Sequence, residues 1–147
     1  MPHNYAANFV HCIFSTEDRR DTIPPELQER LWSYLGGITK KLGCNLIAVG
    51  GTANHVHILV RLPAMARLAE TIHKLKANSS RWMGEQGVEF EWQKGYGAFS
   101  VSPSMLSTMT AYIRGQEAHH QRRDFEEEFR VLLRKSGIAF DSEQPFA

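Results

Sequence analysis

The sequence has few cysteines, no long hydrophobic run and almost no excess of charge. Its two cysteines, Cys12 and Cys44, are too few for a disulfide framework and too far apart for a C-x-x-C metal or redox pair. We expect both to be reduced thiols in or near the core of a cytoplasmic protein. Apolar runs such as residues 56–60 are far too short to cross a membrane, and the first residues do not resemble a signal peptide.

The charge balance excludes one class of nucleic-acid binder. Seventeen Lys and Arg against sixteen Asp and Glu leave a formal charge of +1 over 147 residues. Proteins that coat DNA by bulk positive charge are far more basic, although a local basic patch is still compatible with this total. Repeats, low-complexity segments and long linkers are also lacking, so we expect one domain over residues 1–147. No P-loop is present, and no nucleotide cofactor is expected.

Apolar periodicity and turn residues predict four strands and four helices. Strands are predicted over residues 7–14, 45–49, 55–62 and 90–102, and helices from Pro24 to Gly43, over 67–83, from Ser102 through Gln116, and from Asp124 onward. A stripe of leucines marks the buried side of the first helix, and Asp124 with Glu127 three residues on predicts a capping box at the start of the last one. The order β-α-β-β-α-β, followed by two helices, is the split β-α-β pattern of ferredoxin-like folds. We therefore predict an α+β fold in which two helices cover one face of an antiparallel sheet. The opposite face would be free to hold a site.

Two histidines on the third predicted strand are the first candidate site. Because side chains alternate along a strand, His55 and His57 point to the same face, while Val56 and Ile58 point into the core. Two adjacent imidazoles are natural metal ligands, but a complete site needs a third ligand from elsewhere. A His-x-His pair alone is more often just two histidines on a half-exposed strand, because short motifs match by accident.

The third predicted helix carries a second group. Tyr112 and Gln116 are four residues apart and share a face, and His119 lies three residues further along. A tyrosine hydroxyl is a possible nucleophile and a glutamine carbonyl is a possible metal ligand. A lone helical tyrosine is more often a core residue whose hydroxyl is hydrogen-bonded.

Taken together, these motifs resemble the single-tyrosine HUH transposases, which move insertion sequences as single-stranded DNA, and the related REP-associated tyrosine transposases. His55-Val56-His57 is similar to the HUH motif, and residues 112–116 are similar to the tyrosine helix of that family. Residues 11–16, 74–81 and 92–96 also resemble it, so that the likeness spans about 7–137. Asn54 departs from the aspartate common before the first histidine, and Glu17-Asp18 stands where a more basic residue is expected.

The resemblance implies a metal-dependent DNA transposase. Tyr112 would attack a scissile phosphate in single-stranded DNA and form a 5′-phosphotyrosine intermediate at hairpin-marked element ends. His55, His57 and Gln116 would hold a divalent ion. Two nitrogens and an amide oxygen suit Mn²⁺, while the family implies Mg²⁺ or Mn²⁺, and the choice stays open. His119 is either a further ligand or proton carrier or, as we favour, a solvated residue at the end of the helix.

The partners are expected to be hairpin DNA and a second copy of the chain. Basic and polar residues of the second helix suit phosphates, and aromatic residues before the last strand suit unpaired bases. The candidate DNA contacts are Lys74, Lys76, Ser80, Arg81, Trp92, Lys94 and Tyr96. A homodimer is implied by the family, with Tyr112 acting either on its own subunit or on its partner. Acidic residues of the last helix at positions 124 and 126–128 would offset positive charge in the second helix and at Arg114, Arg122 and Arg123.

Three other functions are compatible with parts of the pattern. A domesticated relative would bind DNA hairpins without transposition activity, although this chain keeps Tyr112 and both histidines. A metal-dependent phosphohydrolase would need more carboxylate ligands than the strands near the histidines supply. An RNA-binding ferredoxin-like module would carry an aromatic signature that is missing here.

Overall fold

A computed structural model describes residue 3, residues 5–119 and residues 124–141. Its four antiparallel strands lie in the order β2-β3-β1-β4, which confirms the α+β, ferredoxin-like prediction. The strands are β1 (Asn8–Ser15), β2 (Asn45–Thr52), β3 (His55–Leu62) and β4 (Gly97–Val101). The helices are α1 (Pro25–Lys41), α2 (Leu68–Glu85), α3 (Leu106–Arg114), α4 (Gln116–His119) and α5 (Phe125–Lys135).

Helices α1 and α2 cover one face of the sheet. α1 begins at Pro25, which suits a first helical turn, and the chain leaves it through Gly43 at φ 77°. The leucine stripe predicted for α1, including Leu31 and Leu35, packs with Ile72 of α2 against Ile58 of β3. This cluster is the larger core of the molecule.

The opposite face of the sheet is covered as well. Ile13 of β1 packs against Phe125 and Phe129 of α5, while Leu59 of β3 packs against Ile113 of α3. The expectation that this face is left free was therefore wrong. Up to Val60, strand β3 carries no Asp, Glu, Lys or Arg on either face, so covering both faces is favourable. The two histidines therefore come to lie beneath helices.

Two predicted elements are shorter than expected. β4 covers residues 97–101 instead of 90–102, because Trp92 makes only an isolated bridge with Thr16. The predicted third helix is divided into a 3-10 turn (Pro103–Met105), α3 and α4, with Gly115 between the last two. Glycine favours such a helix end, so Tyr112 and Gln116 lie on successive short helices.

The start of α5 agrees with the predicted cap. The carboxylate of Asp124 accepts a hydrogen bond of 2.9 Å from the backbone N–H of Glu127. A fixed first turn determines which residues of α5 face the sheet, and Phe125 and Glu128 are both buried there. Among the described residues, no helix is long and apolar enough to cross a membrane.

The cysteines lie in the core, as the sequence indicated. Cys12 and Cys44 are buried free thiols. Burial is the main cause that raises the pKa of Cys12 to about 12, and the neighbouring Cys44 is the second. The Cys12 thiol therefore stays protonated and poorly reactive near neutral pH.

A close backbone contact between β2 and α3 places the tyrosine helix. A Cβ atom added at Gly50 would lie 2.4 Å from the carbonyl oxygen of Ile113, which is a backbone atom that cannot rotate away. We expect Gly50→Ala to lower the free energy of unfolding by about 1–3 kcal/mol through overpacking, measured by urea denaturation. The matched change is Gly37→Ala in α1, where an added Cβ meets nothing within 4 Å. It should be neutral or stabilising by up to about 1 kcal/mol, and equal stability of the two variants would refute this account.

Candidate active site

The two histidines lie at the centre of the sheet. In the register of β1 with β3, Ser15 faces His55 and Ile13 faces His57. Both imidazoles have no exposed surface, and their ring centroids are 5.1 Å apart. The expected alternation holds, since Val56 and Ile58 point to the opposite face and join the larger core. These are therefore not half-exposed surface histidines.

The tyrosine helix brings the other predicted site residues to the histidines within one chain. Oε1 of Gln116 lies 3.0 Å from Nε2 of His55, and the ring centroid of Tyr112 lies 5.7 Å from that of His57. The amide of Gln116 also donates to the backbone carbonyl of Tyr112 at 3.3 Å, which joins α4 to α3 across the break at Gly115. A second subunit is not needed to bring these four side chains together.

Glu128 of α5 is a site residue that the sequence analysis missed. Its Oε1 lies 3.0 Å from Nε2 of His57 and 3.6 Å from Nε2 of His55, and its Oε2 accepts a hydrogen bond from the Tyr112 hydroxyl. Glu128 is only 3% exposed, although it was assigned to the acidic group of the last helix. It lies three residues after Phe125 and four before Leu132, which places it on the apolar face of α5, and this was the available sequence signal.

Each histidine has a second contact through its Nδ1 atom. Nδ1 of His55 lies 2.9 Å from Oδ1 of Asn54 and 3.0 Å from the hydroxyl of Thr52. Nδ1 of His57 lies 2.7 Å from Nε2 of His11, a buried residue of β1. Burial, and then the neighbouring His57, lower the pKa of His11 to about 3, so that His11 is neutral at physiological pH.

The donor atoms at this site suit a divalent cation. Ligand atoms of His55, His57 and Glu128 lie within 4.8 Å of one another, and the Gln116 carbonyl oxygen reaches the same place. Two imidazole nitrogens and two oxygens are a donor set that transition metals such as Mn²⁺ accept. The buried His-His-Glu cluster is thus compatible with a metal site. No carboxylate comes from the strands, as expected, but α5 supplies one.

The candidate DNA contacts on α2 lie on the other face of the sheet from the histidines. Lys74 and Arg81 are exposed: Lys74 forms an ion pair of 3.1 Å with Glu70, and Arg81 donates to the side chain of Asn78. Ser80 is half-buried and donates to the backbone carbonyl of Phe90.

Lys76 is held more firmly than its neighbours on α2. Its Nζ donates to the carbonyl oxygens of Gln93 and Gly95 at 2.9 and 2.6 Å and lies over the rings of Phe14 and Tyr96. Burial lowers the pKa of Lys76 to about 8. Its contacts order the segment before β4, and this structural role competes with contact to a phosphate.

The three candidates before β4 have different environments. Lys94 is exposed and Tyr96 is 39% exposed, so both are accessible to DNA. Trp92 is only 8% exposed, its indole N–H donates to Ser79, and its ring packs edge-on against Phe14. At this exposure, little of the Trp92 ring is accessible for stacking on a base. The side chain of His119, together with Arg122 and Arg123, lies outside the described residues.

Fold and site together define a class of protein. A ferredoxin-like sheet that carries a His-x-His pair on a central strand, beside a helical tyrosine, is the arrangement implied for a tyrosine transposase. The family model "Transposase IS200 like" matches residues 5–116, and the chain belongs to this family of DNA transposases.

Solved structures show the same fold. A candidate transposase from Deinococcus radiodurans R1 is 22% identical with a TM-score of 0.63, and the match covers 77% of this chain and 94% of that one. A REP-associated tyrosine transposase bound to a REP hairpin is 13% identical with a TM-score of 0.57, covering 77% of this chain and 68% of the other. No curated protein is similar enough in sequence to be counted as a relative.

Proposed function

We propose that this transposase nicks and rejoins single-stranded DNA at hairpin-marked ends, with Tyr112 as the nucleophile. The observation that carries the proposal is the contact between the Tyr112 hydroxyl and Glu128, whose other oxygen lies 3.0 Å from His57. The Glu128 carboxylate thus links the proposed nucleophile to the candidate metal centre within one chain, and that chain belongs to a transposase family.

The tyrosine chemistry follows from the groups around the hydroxyl. A free phenol has a pKa of about 10, so attack at neutral pH needs an acceptor for its proton. Oε2 of Glu128 already accepts that hydrogen bond. As the oxygen of Tyr112 bonds to phosphorus, the bond from phosphorus to the 3′ oxygen breaks. The products are a 5′-phosphotyrosine and a free 3′-hydroxyl. Attack by a 3′-hydroxyl reverses the step, so that no nucleotide cofactor is required.

The metal centre would be built from His55, His57 and Gln116, with Glu128 as an additional oxygen ligand. Both histidines direct Nε2 towards this position, since their Nδ1 atoms face Asn54 and His11. A bound Mg²⁺ or Mn²⁺ would polarise the phosphate and offset the negative charge that develops on it. These four side chains would hold that ion beside the Tyr112 hydroxyl.

Access of DNA requires movement of the Phe125 side chain. The two histidines have no exposed surface, and Phe125 lies 4.7 Å from His55 between ring centroids. A phosphate reaches the proposed metal centre only when Phe125 moves away from it. We also propose a homodimer, in which the tyrosine helix of one subunit can occupy this position in the other.

Hairpin DNA is the partner that we propose. The REP-associated relative is described as bound to a REP hairpin. In this chain Lys74 and Arg81 are exposed on α2, and Lys94 is exposed in the segment before β4. These three cations would contact the phosphates of a folded strand. The nearly neutral total charge predicts that recognition depends on the shape of the folded strand more than on bulk attraction.

A covalent trapping experiment tests the proposal. The full chain is incubated with Mn²⁺ and single-stranded DNA containing a hairpin from the region that borders its own gene, labelled at either end. We expect the 3′-terminal label to migrate with the protein on a denaturing gel, because the tyrosine becomes attached to the 5′ end of the downstream fragment. The 5′-terminal label should appear on a shorter free strand. EDTA and the fully paired duplex are the controls, and both should prevent adduct formation.

Each other outcome contradicts the proposal in a different way. Cleavage without an adduct would indicate a water nucleophile, as in a phosphohydrolase. Hairpin binding without cleavage would indicate the domesticated, non-mobilising binder. An adduct carrying the 5′-terminal label would reverse the assigned polarity.

A further inference from the structure

His11 contacts His57 but supplies no ligand atom to the proposed metal centre. His11 is 1% exposed, lies on β1, and places Nε2 2.7 Å from Nδ1 of His57. The two rings are nearly parallel, at an interplanar angle of 18° and a centroid distance of 4.9 Å. A buried imidazole in such a position either fills space or fixes the orientation and the tautomer of the neighbouring histidine.

The geometry points to a role for His11 in holding His57 ready to bind a cation. We propose that His11 is a positioning residue of the metal centre: it fixes the ring of His57, and its Nε2 accepts a hydrogen bond from the Nδ1–H that His57 must keep when its own Nε2 ligates a metal. This inference rests on the proposed metal centre. It adds a residue that donates no ligand atom to the ion.

The tautomer requirement follows from valence. A neutral imidazole has one N–H, so a histidine that coordinates through Nε2 keeps its proton on Nδ1. That N–H is buried here and needs an acceptor, and Nε2 of His11 is within hydrogen-bond distance. His55 shows the same arrangement, with the amide oxygen of Asn54 at 2.9 Å from its Nδ1. Both histidines therefore have an acceptor behind the ring and the metal position in front of it.

Outer acceptors of this kind affect metal affinity. Removing one typically weakens metal binding by about 10- to 100-fold, because the ligand ring loses its orientation and tautomer. Glutamine places a carbonyl oxygen near the position of Nε2 and can accept the same hydrogen bond. Leucine is similar in size but has no acceptor. The pair His11→Gln and His11→Leu thus separates hydrogen bonding from space filling.

The test is Mn²⁺ affinity of the full chain, measured without DNA by the electron paramagnetic resonance signal of free Mn²⁺. We expect His11→Leu to bind Mn²⁺ about 10- to 100-fold more weakly than the unmodified chain, and His11→Gln to restore most of the affinity. The matched control is His73→Leu on the exposed side of α2, which should leave affinity unchanged. In the Mg²⁺-saturated protein, nitrogen NMR shifts of His57 should show its proton on Nδ1.

Several results would overturn the inference. Equal affinities for His11→Leu and the unmodified chain would do so, as would equal weakening by leucine and glutamine, which would indicate a packing role. Thermal unfolding of the metal-free variants establishes that each is folded. Should His11→Leu not fold, His11→Asn takes its place, because its shorter amide cannot reach His57. Failure of the unmodified chain to bind Mn²⁺ would instead remove the metal centre of the proposed function, and His11 with it.

Discussion

Tyr112→Phe is expected to abolish the covalent adduct between this protein and single-stranded DNA. Phenylalanine has no oxygen with which to form a phosphate ester, so the loss should be complete and not partial. The same change removes the hydrogen bond from Tyr112 to Glu128 and should lower the free energy of unfolding by about 1–3 kcal/mol. Mn²⁺ affinity should remain close to that of the unmodified chain, because Tyr112 donates no ligand atom in the proposed centre.

The control for this prediction is Tyr34→Phe. Tyr34 is also half-buried, but it lies on α1, where its ring stacks on Trp82 at 5.1 Å on the far side of the sheet. Adduct formation should persist in this variant. An adduct that persists in Tyr112→Phe would assign the nucleophile to another residue. Loss of Mn²⁺ binding in Tyr112→Phe would show that the tyrosine supports the metal position as well.

Glu128→Ala is expected to have the second largest effect. The change removes one oxygen from the proposed metal position and removes the partner that Tyr112 and His57 share. Loss of a residue that only hydrogen-bonds to a metal ligand weakens metal binding by about 10- to 100-fold, and Mn²⁺ affinity should fall at least that far here. In the metal-free chain the free energy of unfolding should fall by about 1–3 kcal/mol, because buried polar groups lose a hydrogen bond. Titration with Mn²⁺ and urea denaturation measure the two effects.

Two further variants make the Glu128 result specific. Glu128→Gln keeps the size of the side chain and a carbonyl oxygen but removes the charge, so its Mn²⁺ affinity should lie between those of Glu128→Ala and the unmodified chain. Glu127→Gln makes the same chemical change on the adjacent, exposed residue and should leave Mn²⁺ affinity unchanged. Unaltered affinity in Glu128→Ala would exclude this carboxylate from the metal centre.

The element order and the two motifs could be predicted because they depend on local chemistry. Alternation along β3 indicated that His55 and His57 share a face, and the leucine spacing of α1 indicated its buried side. The pattern also predicted the Asp124 cap, since an acceptor side chain three residues before a free backbone N–H is a local arrangement. The resemblance carried by these motifs agrees with the family match over residues 5–116.

The features that the sequence did not reveal depended on burial. Trp92 beside Lys94 has the composition of a base-stacking segment, yet the isolated bridge to Thr16 places Trp92 in the core. Glu128 stands in an acidic run that is typical of a solvated helix, yet packing of Phe125 and Phe129 on the sheet brings it to the histidines. No local pattern specifies which side chain of a charged run will be covered by a neighbouring layer.

By itself, the sequence determined the order of the strands and helices, the nearly neutral charge and the identity of the His-x-His and tyrosine motifs. These follow from residue types at fixed spacings along the chain. Only the tertiary structure decided that one chain brings Tyr112 and Gln116 to both histidines, that Glu128 joins them, and that His11 lies behind His57. Apart from the contact between Tyr112 and Glu128, these contacts join residues that are far apart in the sequence: 46 positions for His11 and His57, 61 for His55 and Gln116, and 71 for His57 and Glu128. The pairing of β1 with β3 and the packing of the C-terminal helices on the sheet produce them.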